Sequence, residues 1–290
     1  MPYNSIFNSN LFSGQTLVVT GGGSGIGRCI AHELISLGAR VALVGRKVDK
    51  LELVAAEIAE DGGRAGCHAL DIRVEEDVKR VVGEILAEHG AIHGLVNNAG
   101  GQYPAPLAQI KQKGFETVVR TNLTGGFLVA RECYTQYMND AGGSIVNIIA
   151  DMWGGMPGMG HSGAARAGML NFTETAAVEW AVSGVRVNAV APGWIASSGM
   201  DSYTDPVVKQ ILPRLHEGVP LKRLGTEAEV SSAVCYLLSP GAAFVSGSCI
   251  KVDGAAGCNT RNPLFPLLQH EQSQPFNGFH RAAMPKVLTG

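Results

Sequence analysis

From residue 16 to residue 253 the chain alternates short β-branched runs with longer stretches of helical period, and this alternation limits the folds open to it. The run TLVVT (16–20) precedes GIGRCIAHELISLGA, whose Ile26, Ile30, Leu34 and Leu37 fall on one helical face. RVALVG precedes a charged helix around DKLELVAAEIAEDGG, and AGCHAL precedes the amphipathic VEEDVKRVVGEILAEHG. IHGLVNNAG leads into a long helical stretch over 114–139, and SIVNII into a helix over 163–182. VRVNAVAPG, TEAEVSSAVCYLLS and SCIKVDG complete the series. Seven strands with about six helices predict right-handed crossovers and one mostly parallel sheet covered on both faces. A length of 290 residues would accommodate two domains of roughly 150, but the unbroken rhythm predicts a single α/β domain.

Composition excludes several classes. Hydrophobic residues make up 46% and charged ones 17%, with mean hydropathy +0.12, which supplies a large core and rules out dominant disorder. Lys and Arg number 23 against 25 Asp and Glu, a net charge of −2. Neither a nucleic acid nor an anionic membrane is therefore an expected partner. No run approaches the roughly 20 apolar residues that span a bilayer. The six cysteines show no CxxC pair and no Cys/His cluster at zinc spacing, so no metal site is expected. MPYNSIFNSNLFSG lacks the basic and apolar regions of a secretory signal, and the terminal KVLTG is not a peroxisomal address. A cytoplasmic setting is the expectation.

Two segments break the rhythm. Residues 194–222, rich in Pro, Gly, Ser and Met, are too long for an ordinary connection. They form either a substrate lid or a passive surface excursion. The expected organisation is an N-terminal extension (1–15), a catalytic domain (16–257) and a tail (258–290). That tail carries Leu264, Phe265, Leu267 and Leu268 among Pro, Asn and Gln, and is either a frayed end or an arm on a neighbouring subunit.

Thr20-Gly-Gly-Gly-Ser-Gly-Ile-Gly27 lies between the first strand and the first helix, where glycines let backbone N–H groups approach a pyrophosphate. Together with Asp71 after the third strand, Asn97-Asn98-Ala99-Gly100, Asn122 and Pro192-Gly193, it resembles the short-chain dehydrogenase/reductase superfamily over residues 16–254. The resemblance implies a Rossmann-type, doubly wound, seven-stranded parallel sheet. It also implies a dinucleotide held by Gly21, Gly23, Ser24, Gly25 and Ile26, with Asp71 and Ile72 at adenine. Asn98, Ala99 and Gly100 would support the fourth strand, and Pro192, Gly193 and Ile195 the nicotinamide. Helices 114–139 and 163–182 would join subunits into a homotetramer or homodimer.

An NAD-selective member of such a fold places an acid at the end of the second strand to hold the ribose 2′-hydroxyl. Here that strand ends Val44-Gly45-Arg46-Lys47, without one. Arg46 can pair with a 2′-phosphate, so NADP(H) is the expected cofactor; otherwise Arg46 and Lys47 merely open a solvated helix.

The family's Tyr-x-x-x-Lys pair is missing. Ser162 and Arg166 occupy its spacing in His161-Ser-Gly-Ala-Ala-Arg166, and Ala150 stands near the usual Ser. An aliphatic hydroxyl is a far weaker acid than a phenol, and arginine holds its proton. GGSIVNII, the His161–Gly168 run, Asn98-Ala-Gly-Gly-Gln102 and Thr121-Asn-Leu-Thr-Gly125 are similar to the peroxisomal trans-2-enoyl-CoA reductases. The resemblance extends to bacterial chains of citronellol/citronellal dehydrogenation. Conjugate reduction suits such a site, because hydrogen-bond donors stabilise an enolate that is then protonated at carbon.

The expected roles are Arg166 at the nicotinamide ribose, Ser162 at the substrate oxygen and Asn122 at a water relay. His161 and Asp151 are either proton carriers or capping and core-edge residues. Tyr103 could reach in, and Met152, Met156, Met159 and Met200 with Trp153 and Trp194 either form a deformable apolar pocket or pack ordinary loops. Three functions stay open: an NADP(H)-dependent reductase of 2-enoyl-CoA-like substrates, a dehydrogenase of terpenoid alcohols or aldehydes, and an inactive dinucleotide-binding sensor or scaffold.

Overall fold

The structure is a computed structural model that describes residues 3–258 and 265–289. Seven parallel strands run in the order β3-β2-β1-β4-β5-β6-β7: β1 (Thr16–Thr20), β2 (Arg40–Gly45), β3 (Ala65–Ala69), β4 (Gly94–Asn97), β5 (Gly143–Ile148), β6 (Val185–Pro192) and β7 (Cys249–Val252). Every residue of β1 and β4 is buried, as expected where helices cover both faces of a parallel sheet.

Side-chain alternation divides the core. Leu17, Val19, Val41 and Leu43 face α1 (Gly25–Ser36), α2 (Val48–Glu60) and α9 (Glu227–Leu238). Val18, Ala42, Val44, Leu95 and Ile145 face α3 (Glu75–His89) and α5 (Gly125–Cys133). Ile30, Leu34 and Leu37 of the expected α1 face are buried, while Ile26 is half-buried at the crest.

The long stretch expected over 114–139 is one continuous helix over 112–141. It comprises α4 (Gln112–Val119), a π-turn (Arg120–Thr124), α5, a second π-turn (Tyr134–Met138) and α6 (Asn139–Ala141). The helix expected over 163–182 is α7 (Gly160–Glu179). Residues 194–222 hold a short 3₁₀ turn (Ser198–Ser202), α8 (Pro206–Ile211), capped by Asp205, and a 3₁₀ stretch (Leu212–Gly218). α10 (Lys286–Thr289) closes the described chain.

The two ends belong to the fold. Phe12 is fully buried, and its N–H donates to Leu37 O. Phe279 is buried against Tyr3, Cys29 and Ala228 of the same chain. Arg281 reaches Asp61 and Glu60, at the end of α2. Residues 276–281 thus pack on the chain's own α1, α2 and α9; Leu264 lies outside the described residues. Among the described residues no helix is long and apolar enough to cross a membrane.

Candidate active site

Strand order reverses between β1 and β4, and such a reversal opens a crevice at the carboxyl ends of the strands. A cleft of about 450 Å³ lies there. Its two crest loops are knit together. Thr20 Oγ1 accepts from the N–H groups of Asn98 and Ala99, and Asn98 Nδ2 donates to Thr20 O.

Gly21, Ser24, Gly25 and Ile26 line one part of the wall. Gly21 and Gly25 adopt positive φ (+68° and +55°), which L side chains resist. Ser24 makes no side-chain cap on α1, and no acid stands in the first turn. The positive end of that helix dipole is therefore left for an anion. Gly23 does not line the cleft, contrary to expectation. A Cβ there would lie 3.0 Å from Lys50 Cβ, so this glycine serves the packing of α2 on the loop.

Next to this loop lie Arg46, Asp71, Ile72 and Arg73. Arg73 grips Asp71 through Nε at 2.9 Å and Nη2 at 2.6 Å, and this pairing holds the carboxyl below its ordinary range. Arg46 is exposed and makes no ion pair among the described residues.

Asn98, Ala99, Gly100, Gln102, Ile148, Ala150, Arg166, Pro192, Gly193 and Ile195 line a further part of the wall, with Trp194, Met200 and Tyr203 from the 194–222 segment. Arg166 is 8% exposed, and its Nη1 donates to Ile148 O at 2.7 Å. Its Nε is buried without a partner among the described residues, and burial lowers the guanidinium pKa. Gly100 leaves the room, since a Cβ there would lie 2.5 Å from Arg166 Nη2. A helix terminus with no acid in its own first turn, a glycine cradle and a buried cation without a carboxylate partner among the described residues together suit an anionic dinucleotide.

Four expected catalytic side chains, Ser162, His161, Asp151 and Asn122, do not line the cleft. Ser162 and His161 are fully buried at the start of α7. Ser162 Oγ donates to Gln102 Oε1 at 2.9 Å, and Gln102 Nε2 lies 3.5 Å from Tyr203 Oη. His161 Nδ1 accepts from Ser162 N, its ring meets Tyr103 edge-on at 4.6 Å, and its Nε2 has no partner. Asp151 turns toward Asp253: a Cβ on Gly257 would lie 2.5 Å from Asp151 Oδ1 and 2.8 Å from Asp253 Oδ2. Burial, then Asp253, raises the Asp151 carboxyl.

Asn122 sits in the first π-turn and spends both amide arms on Gly101. Its Oδ1 accepts from Gly101 N, and its Nδ2 donates to Gly101 O, each at 2.9 Å. It orders the Gly100–Gln102 segment from behind the wall. Met152, Met156, Met159, Trp153 and Tyr103 do not line the cleft; Trp153 lies under Lys251 Nζ at 3.9 Å.

The residue patterns do not single out Gln102, Arg73, Tyr203 or Glu227. Gln102 and Tyr203 carry no periodic or spacing signal, because their partners lie 60 and 101 residues away. Glu227 is 7% exposed at the first turn of α9, and its Oε1 would lie 3.8 Å from a Cβ on Gly25. Burial pushes its carboxyl up to about 7.

Fold and cleft define a dinucleotide-binding oxidoreductase, and comparison with known proteins gives the family. Residues 13–256 match the family model described as Enoyl-(Acyl carrier protein) reductase, and the chain belongs to the short-chain dehydrogenase/reductase family. It is 65% identical to the citronellol catabolism dehydrogenase (AtuB) of Pseudomonas aeruginosa PAO1, with TM-score 0.80 over 88% of this chain and 100% of that one. It is 35% identical to the peroxisomal 2,4-dienoyl-CoA reductase of Danio rerio over 92% of this chain and 89% of that protein. The probable 2,4-dienoyl-CoA reductase of Bacillus subtilis is 33% identical over 84% and 97%.

Proposed function

We propose that this chain is an NADP(H)-dependent reductase of a conjugated 2-enoyl thioester carrying an apolar, acyl-CoA-like or terpenoid tail. One observation carries the reading: His161 and Asp151, the expected proton carriers, lie off the cleft. The Gln102 amide, the Tyr203 phenol and the Arg166 guanidinium are on its wall. Oxidation of an alcohol needs a base at its hydroxyl, whereas conjugate reduction needs donors at a developing oxyanion.

Bound NADPH supplies a hydride, which suits the β-carbon of such a substrate. Arg166 holds the ribose and adds positive potential. Arg46, free of carboxylate partners among the described residues, takes the 2′-phosphate. Gln102, fixed through its Oε1 by Ser162, presents its amide N–H to the substrate oxygen. Tyr203 supplies the proton that the enolate takes up at carbon. Trp194 and Met200 on the wall suit an apolar tail. Exposed Phe127 and Val178, on α5 and α7, support assembly as a homodimer or homotetramer.

A second reading rests on the 65% identity to the citronellol catabolism dehydrogenase: dehydrogenation of an acyclic terpenoid alcohol or aldehyde, with Tyr203 as the base. NADPH oxidation across linear and branched 2-enoyl-CoA substrates, set against NADP⁺ reduction with citronellol-like alcohols, separates the two. Turnover of the thioesters alone supports the first reading and turnover of the alcohols alone the second. Tight NADPH binding without either would leave a binding protein.

A further inference from the structure

We propose that His68, Glu88 and His89 form a three-ligand site for a borderline divalent transition ion such as Zn²⁺, on the edge of the sheet and apart from the cleft. His68 lies on the edge strand β3, in register with Val44 of β2 and on the face covered by α3. Glu88 and His89 end α3, so two elements bring together residues twenty positions apart in the chain. No short ligand spacing announces the arrangement.

Two features point to an ion. Nε2 of His68 and Nε2 of His89 are both buried with no hydrogen-bond partner among the described residues, and the His68 side chain is only 9% exposed. Both aim at one carboxylate: His68 Nε2 stands 3.7 Å from Glu88 Oε2, and His89 Nε2 stands 3.6 Å from Glu88 Oε1. These separations are too long for hydrogen bonds. They lie close to the spacing of about 3.3 Å between ligand atoms held some 2.0–2.1 Å from a tetrahedral zinc. Facing donor atoms of the three residues lie within 4.8 Å of one another.

Gly66 makes the convergence possible. A Cβ there would stand 3.2 Å from His68 Nε2, 3.5 Å from Glu88 Oε1 and 3.6 Å from His89 Nε2. Any larger residue would fill the point on which the three donors close. Two imidazoles and one carboxylate are a borderline set, suited to Zn²⁺, Co²⁺ or Ni²⁺ rather than Mg²⁺ or Ca²⁺. Three protein ligands leave a fourth position for water. An ion there would pin the edge strand to the last turn of α3, behind the strand that delivers Asp71 and Arg73 to the cleft.

The test uses the full, tag-free chain after dialysis against a chelator. Zn²⁺ titrated calorimetrically should bind with one equivalent and raise Tm by ~3 °C or more at saturating ion. Co²⁺ should give the visible absorption of a tetrahedral complex. Glu88→Gln and His89→Gln should each weaken Zn²⁺ binding at least ~10-fold. Glu88 is half-exposed, so its variant folds even if a His68 substitution does not. Glu84→Gln, one turn earlier on α3, should bind as the parent does. Absence of Zn²⁺ binding by the parent chain, or binding undiminished in both ligand variants, overturns the proposal.

Discussion

Ser162, at the spacing where a phenol would be expected, donates its hydroxyl to Gln102 Oε1 at 2.9 Å and is shut off from solvent. That bond turns the serine into a support and puts Gln102 on the cleft wall. Gln102→Leu should therefore strand a buried hydroxyl, costing about 1–3 kcal/mol of stability. It should also remove a donor at the substrate oxygen and lower kcat by roughly 10²-fold. Ser162→Ala should lower kcat less, since the amide stays on the wall. Steady-state kinetics and chemical denaturation check both; a larger loss in Ser162→Ala would restore the serine as the direct donor.

The proposed preference for NADP(H) rests on Arg46. Arg46→Ala should weaken NADPH binding by about 10–100-fold, the worth of a charge-assisted contact of 1.5–3 kcal/mol, and leave NADH binding nearly unchanged. Calorimetric titration of both nucleotides reads this directly, and an equal effect on the two would assign Arg46 to the solvated start of α2.

Glu227 makes stability depend on pH. Its carboxyl is raised from 4.5 to about 7 by burial, so between those values the folded state holds a proton that the unfolded state releases. Its contribution is therefore complete below about pH 4.5 and lost as pH rises to 7, a change of about 3 kcal/mol. Glu227→Gln should flatten the parent's decline across this window and be the more stable protein at pH 8. Beside Gly25, the uncharged side chain should also tighten dinucleotide binding at pH 8. Parallel pH–stability curves for parent and variant would contradict this account.

Phe279 fastens the tail. It is 3% exposed, stacks on Tyr3 at 5.7 Å and receives the Arg28 guanidinium at 4.8 Å. Phe279→Ala should cost about 3–5 kcal/mol by opening a cavity over α1. Thermal unfolding measures it; a Tm within a degree of the parent's would mean that the tail is dispensable. NADPH affinity should persist, since Phe279 does not line the cleft.

What the sequence by itself determined is the scaffold and many of the residues that line the cleft. The residues expected as β1 and β2 are those observed, because buried parallel strands demand continuous apolar runs that are visible locally. Gly21 and Gly25 follow from a loop fixed between one strand and one helix. Tertiary structure alone decided which polar groups face the cleft. His161 and Ser162 sit at neighbouring positions on the buried first turn of α7, and only the packing of Tyr103, Gln102 and the 194–222 segment against that turn sets their directions. Asp151 lies beside Asp253, 102 positions later, and Gly23 packs against α2. Spacing along a chain fixes which residues share an element; the direction of a side chain depends on the elements packed across from it.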